Sequence, residues 1–202
     1  MTFGRYVGNI SSRFDATELM AQLASVPQWL DAGQVLRLSD GHDQVLTSDL
    51  VMGGQTVSVA IKVFGRQSFF KDWFDRRNGS KAARSYYAGE FLYQKALGTA
   101  EPIAWLDRWD HGRLVESYYL CRHVAAPCFR DALIQIYDQE QNNAGMMALL
   151  EKVAPALRRL HAAGFMHGDL GNQNILVPKS SAGTYVEPLF IDVNRSQYSS
   201  AP

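Results

Sequence analysis

The sequence predicts an α+β protein of two lobes: a five-stranded antiparallel sheet with one long helix over residues 1–122, and a shortened, mostly helical lobe over residues 123–202. Three observations predict it. Runs of β-type composition separated by Gly- and Asp-containing turns fill much of the first 122 residues. A helical stripe then leads from Met146 to Gly164. Two very short apolar runs, 175–177 and 189–191, follow it, each next to a polar residue suited to chemistry.

With 202 residues, of which 47% are hydrophobic and 11% aromatic, the chain can bury a substantial core in one domain or two small lobes. Lys plus Arg equals Asp plus Glu, 20 each, so no global field favours nucleic acid. One local exception runs from Lys62 to Arg84, where Lys62, Arg66, Lys71, Arg76, Arg77, Lys81 and Arg84 face only Asp72 and Asp75; an ordinary basic surface is the favoured reading. Two cysteines, Cys121 and Cys128, without a second pair for a zinc site, read as reduced cytosolic thiols. The N-terminus has no basic segment leading into an apolar stretch, and nowhere do eighteen apolar residues run together, so neither export nor a bilayer span is expected; surface adsorption stays compatible.

The elements follow in order. The first fifteen residues have no clear periodicity. Asp15 then caps a short amphipathic helix with Leu19, Met20 and Leu23 on it. Strands are expected at 34–38, 44–48 and 56–64, with turns at Ser39–Asp43 and Met52–Gln55. A helix capped by Ser80 covers 81–95, and its period puts Glu90 on a face with Ala83, Tyr86, Tyr87 and Gln94, where an unpaired carboxylate would be costly. Two more strands, 103–106 and 114–122, flank a polar hairpin turn at 107–113. Residues 121–124 cross to the second lobe, 129–138 form a helix and 139–145 a polar loop. In the next helix Met147, Leu150, Ala154, Leu157 and His161 trace the core stripe, with a kink at Pro155 and Gly164 as C-cap.

The chemistry concentrates near the end. His167-Gly168-Asp169-Leu170-Gly171-Asn172-Gln173-Asn174 fits the pattern His-x-Asp-Leu-x-x-x-Asn, and Phe190-Ile191-Asp192 follows. An Asp beside an acceptor hydroxyl can align it and take its proton. An amide oxygen from Asn174 and a carboxylate from Asp192 form an oxygen donor set for Mg²⁺, and pairing of the two apolar runs would bring them together. Upstream, Val59-Ala60-Ile61-Lys62 closes the third strand, and an ion pair with Glu90 would orient Lys62.

With Lys62, Glu90, Asp169, Asn174 and Asp192 in this order, the chain resembles the eukaryotic-like protein kinase superfamily, and within it the bacterial lipopolysaccharide core kinases that act on heptose or Kdo. Gly168, where protein kinases carry Arg, and the segments Ser80–Ser85 and Ala100–Ala104 carry the finer likeness. The resemblance implies ATP and Mg²⁺ as cofactors, with Asp169, Lys62 and Glu90 catalytic. Lys62, Gly41, Cys121 and His123 would lie against the nucleotide, the last two through backbone, and Asn174 and Asp192 would hold the metal. It implies a carbohydrate acceptor in lipopolysaccharide and a cytoplasmic protein, peripheral at the inner face of the inner membrane. Three departures stand out. Only Gly41 marks the expected phosphate-covering turn, Gly171 replaces the Lys that protein kinases place two residues after the Asp, and Val193-Asn194 replaces Phe-Gly. Ten residues follow Asp192, so the second lobe is expected to be short, as a minimal kinase, a truncated one or one that a partner completes. The rival readings are a Ser/Thr or aminoglycoside-type kinase and a pseudokinase scaffold.

Overall fold

A computed structural model describes residues 1–31, 36–39, 43–65, 69–140 and 143–199. Its backbone forms two compact units, residues 1–90 with 101–123 and residues 91–100 with 124–202.

The first unit holds β1 (Thr2–Phe3), β2 (Tyr6–Ile10), α1 (Ala16–Ala24), α2 (Val26–Asp31), β3 (Leu36–Ser39), β4 (Gln44–Met52), β5 (Gln55–Val63), α3 (Phe69–Asn78), most of α4 (Lys81–Gln94), β6 (Pro102–Asp110) and β7 (Arg113–Arg122). The expected five strands, β3 to β7, form an antiparallel sheet that two further strands extend, in the order β1-β2-β6-β7-β5-β4-β3. The added pair comes from the stretch that shows no periodicity in sequence. Tyr6 and Ile10 are buried while Val7 is exposed, but Gly8 and Asn9 between them dilute the alternation. Helices α2 and α3 likewise add to the elements the sequence predicts.

One sheet face packs on α1. Asp15 caps that helix through the amides of Thr17 and Glu18, and its stripe of Leu19 and Leu23 joins Tyr6, Ile10, Leu50, Val59, Ile61, Leu106 and Leu120 in one apolar cluster. The opposite face of β5 and β7 presents Lys62, Tyr119 and Cys121, and α4 lies over it. A Cβ on Gly89 would meet the Tyr119 hydroxyl at 3.0 Å and Pro102 at 2.9 Å, so only glycine lets the helix come this close. Ser80 caps α4, its hydroxyl accepting from the Ala83 amide at 3.0 Å.

The expected polar turn at 107–113 is mostly strand. Only His111 and Gly112, with φ of 43° and 79°, make the reversal, as a two-residue hairpin requires. Asp107, expected in that turn, is 2% exposed. The described part of the basic run resolves into local partners: Arg84 on Asp75 and Lys81 on Asp43, both at 2.8 Å, with Arg76 over Trp109 and Arg77 over Trp73.

The second unit begins with the last turn of α4 and continues through α5 (Phe129–Gln135), a π-helical turn, α6 (Asn143–Ala162), β8 (Phe165–Met166), β9 (Ile175–Leu176), β10 (Leu189–Phe190) and β11 (Gln197–Tyr198). Helix α6 runs on through Pro155. Its buried stripe is Leu149, Val153, Ala156 and Leu160, whereas Met147, Leu150, Ala154 and His161 are exposed. The helical period is right and its phase is corrected: so many apolar residues lie on this helix that spacing alone admits two stripes.

Asp107 gives this fold a pH signature. Burial pushes its carboxyl up from an ordinary 3.8 to about 6, only partly offset by the nearby Ser80 and Ser117 hydroxyls. The folded protein therefore holds this proton longer than the unfolded chain, and the associated stability is present below pH 4 and lost as pH rises through about 6. Asp107→Asn removes the titration. Urea unfolding should show the Asn variant gaining on the parent by about 2–3 kcal/mol between pH 4 and pH 7.5; an equal difference at both pH values would refute it.

Candidate active site

Residues of the first unit. Lys62 lies in β5 opposite Tyr119 of β7 and Val45 of β4, with Nζ 5.3 Å from the centre of the Phe64 ring. Its charge reaches Cys121, whose thiol burial nevertheless pushes up to about 12, which leaves it inert as a nucleophile at neutral pH. Burial likewise raises the Tyr119 hydroxyl, with Cys121 and Glu90 adding to the shift. Glu90 accepts a two-pronged pair from Arg13, at 2.8 and 2.7 Å, and the same guanidinium bonds the Pro102 carbonyl at 2.9 Å and faces Glu101 at 3.4 Å. Glu101 also accepts from Arg122 at 2.9 Å. Arg13 thus fixes the Glu90 carboxylate on the Lys62 face of the sheet, a role that nothing in the N-terminal sequence pattern signals. Cys121 lies within β7, and the His123 amide is committed to the Ser58 carbonyl at 2.9 Å. Gly41 lies outside the described residues.

Residues of the second unit. Phe91 at the end of α4 stacks with Phe165 and touches Tyr198 at 4.7 Å between centroids, which anchors the strand that leads into the His167 loop. His167 is buried, with Nε2 2.8 Å from the Ile191 carbonyl. Asp169 follows on the exposed rim. The Asn174 side-chain amide donates to the Asp169 carbonyl at 2.8 Å, and the Gly171 amide does so at 2.9 Å, so the loop holds its own shape. Strands β9 and β10 pair as Ile175 with Phe190 and Leu176 with Leu189, and the ladder continues where the Ile191 amide meets the Asn174 carbonyl at 3.0 Å. Asn174 and Asp192 are neighbours through that ladder.

Asp192 adopts a left-handed conformation, φ 61° and ψ 43°, and its Oδ1 accepts from the Asn194 side-chain amide at 2.6 Å. Such backbone strain in a non-glycine residue persists where surrounding structure enforces it. The chain then folds back, β11 pairs with β8, and Arg195 Nη1 reaches Asp169 Oδ2 at 3.2 Å. No motif spacing marks Arg195 in the sequence; the one hint is that the loop itself carries no Lys or Arg.

Gly168 explains the local sequence. Its φ is 75°, and a Cβ there would lie 2.3 Å from the Arg195 carbonyl oxygen. No side chain fits, so the Arg that protein kinases place here is excluded by the Asp192–Arg195 turn.

The donors that Asn174 and Asp192 supply are one amide oxygen and one carboxylate. This is too few for a protein-only metal cage, and no cluster of three His, Cys, Asp or Glu exists among the described residues. The set fits an ion such as Mg²⁺, which takes its remaining ligands from phosphate oxygens and water.

The sequence profile of the lipopolysaccharide kinase (Kdo/WaaP) family matches residues 67–202, more than half of the chain. No curated protein matches the sequence. Among solved structures, WaaP in complex with acyl carrier protein has the same fold: the TM-score is 0.58 at 19% identity, covering 86% of this chain and 66% of that one. The chain therefore spans just under two thirds of that relative's length.

The packing at Gly168 is testable by itself. Gly168→Ala should cost about 2 kcal/mol or more, from left-handed strain together with the overlap on the Arg195 carbonyl. Chemical unfolding measures it, and an unchanged midpoint would show that the turn does not close on the loop.

Proposed function

The chain belongs to the lipopolysaccharide kinase (Kdo/WaaP) family, a family of kinases, and on that premise we propose that it transfers the γ-phosphoryl group of ATP to a sugar hydroxyl of the lipopolysaccharide inner core, heptose or Kdo. The observation that carries this reading is the grouping of Asp169, Asn174 and Asp192 on one loop and one short ladder.

Asp169 is the base and the group that aligns the acceptor. Its exposed carboxylate takes the hydroxyl proton as the new O–P bond forms and the bond from the γ-phosphorus to the β–γ bridging oxygen breaks, with ADP leaving. His167, bonded to the Ile191 carbonyl, positions the loop beneath it. Lys62 holds the α- and β-phosphates as a point charge, and Glu90, fixed by Arg13, keeps the field around Lys62 balanced. Asn174 and Asp192 would hold Mg²⁺, which when bound offsets the triphosphate charge. The acceptor places the reaction at the cytoplasmic face of the inner membrane; no described helix is long and apolar enough to cross a membrane.

The test is transfer of label from [γ-³²P]ATP in the presence of Mg²⁺ to deacylated core oligosaccharide, generic protein and an aminoglycoside in parallel. Label should enter the oligosaccharide, and Asp169→Asn should lower kcat by roughly 10²–10⁴-fold while nucleotide still binds. Label in protein or aminoglycoside alone, or an Asn variant as active as the parent, would overturn the assignment.

A further inference from the structure

Phosphoryl transfer needs a cation at the group in flight, and the loop lacks one: between Met166 and Pro178 the sequence has no Lys or Arg, and Gly171 stands two residues after Asp169. The fold returns one from elsewhere. Arg195, the last residue of the turn that starts at Asp192, places Nη1 3.2 Å from Asp169 Oδ2.

We propose that Arg195 is a catalytic residue that replaces the missing loop cation and stabilises the phosphoryl group as it moves to the acceptor; this rests on Asp169 being the base. The geometry supports it in three respects. The pair uses Oδ2 and leaves Oδ1 to accept the acceptor's proton. One nitrogen of the guanidinium fork is engaged, which leaves further N–H donors for phosphoryl oxygens. The side chain is 66% exposed and can follow an incoming substrate, while its backbone is locked by the contact with Gly168. Fixed main chain and an exposed guanidinium suit a cation that must meet charge developing beside Asp169. The same contact links two departures from the protein-kinase pattern. Gly168 is required because the Arg195 carbonyl occupies the space of its side chain, and Gly171 is tolerated because Arg195 brings the charge.

The site also offers a relocation test. Gly171 has φ −95° and ψ 158°, open to any residue, and a Cβ there would meet only the Gln173 side chain, at 3.7 Å. Steady-state transfer to core oligosaccharide should be measured for Arg195→Ala, Arg195→Lys, and Arg195→Ala combined with Gly171→Lys. Thermal unfolding and nucleotide titration should accompany it. Arg195→Ala should lower kcat roughly 10²–10³-fold with KM for ATP within about twofold of the parent. Lys at 195, or Lys at 171 in the Ala background, should restore at least tenfold of the loss. An Ala variant as active as the parent, a loss confined to KM, or no rescue from either lysine would overturn the proposal. A parent active on the oligosaccharide with an indifferent Arg195 would sink this inference alone, whereas a parent inert on every acceptor would sink the phosphotransferase reading and this one with it.

Discussion

The second unit depends on one close approach, the Arg195 carbonyl against the bare α-carbon of Gly168. Because Gly168 has no side chain, the turn after Asp192 lies directly on the loop that carries Asp169. The β11–β8 pair, the Phe91–Phe165–Tyr198 stack and the Ile191–Asn174 hydrogen bond hold the two segments in that relation. The strained backbone at Asp192 is the counterpart of this closure: β10 must turn within one residue to reach the loop, and Asp tolerates the left-handed region better than most residues.

The first unit solves a different problem, keeping charge on a mostly apolar sheet. Its α1 face is mostly hydrophobic, with Glu116 held by Arg108 and by the Tyr6 and Tyr118 hydroxyls, while its α4 face carries Lys62, Glu90 and buried hydroxyls. Arg13 resolves the conflict by binding Glu90, Glu101 and the Pro102 carbonyl at once, so carboxylates from a helix and a loop share one guanidinium. Removing one partner of such a network leaves a half-buried charge uncompensated, which costs more than the pair contributes. Asp107 shows the same cost where the charge is not directly paired: its Oδ1 finds no hydrogen-bond partner among the described residues, and burial makes the carboxyl titrate late although Arg84 partly offsets the shift.

Much of the architecture is legible in the sequence because local signals agree with tertiary demands there. The five strands β3 to β7, the Asp15 and Ser80 caps and the family resemblance rest on such signals. Where signals thin out, the reading fails for physical reasons. Tyr6–Ile10 is too short and too glycine-diluted to show alternation, although pairing with β6 suffices to fix it. The run 107–113 reads as a turn because it is polar, yet strand pairing takes all but two of its residues. On α6 both candidate stripes satisfy the helical period, and only packing selects Leu149, Val153, Ala156 and Leu160. Within the candidate site, the loop pattern points to Asp169, Asn174 and Asp192 because spacing along the chain carries them. Arg13 and Arg195 have no such spacing, since each reaches its partner through tertiary structure, across 77 and 26 positions of sequence.

The central claim is that a short apolar ladder and one missing side chain bring an amide oxygen and a carboxylate to the same metal–nucleotide complex. Electron paramagnetic resonance of Mn²⁺ with a non-hydrolysable ATP analogue measures this most directly. The account predicts one Mn²⁺ bound per chain only when nucleotide is present, weakened at least roughly tenfold by either Asn174→Ala or Asp192→Asn, the scale on which even outer-sphere partners act. Unchanged Mn²⁺ affinity in both variants would contradict it.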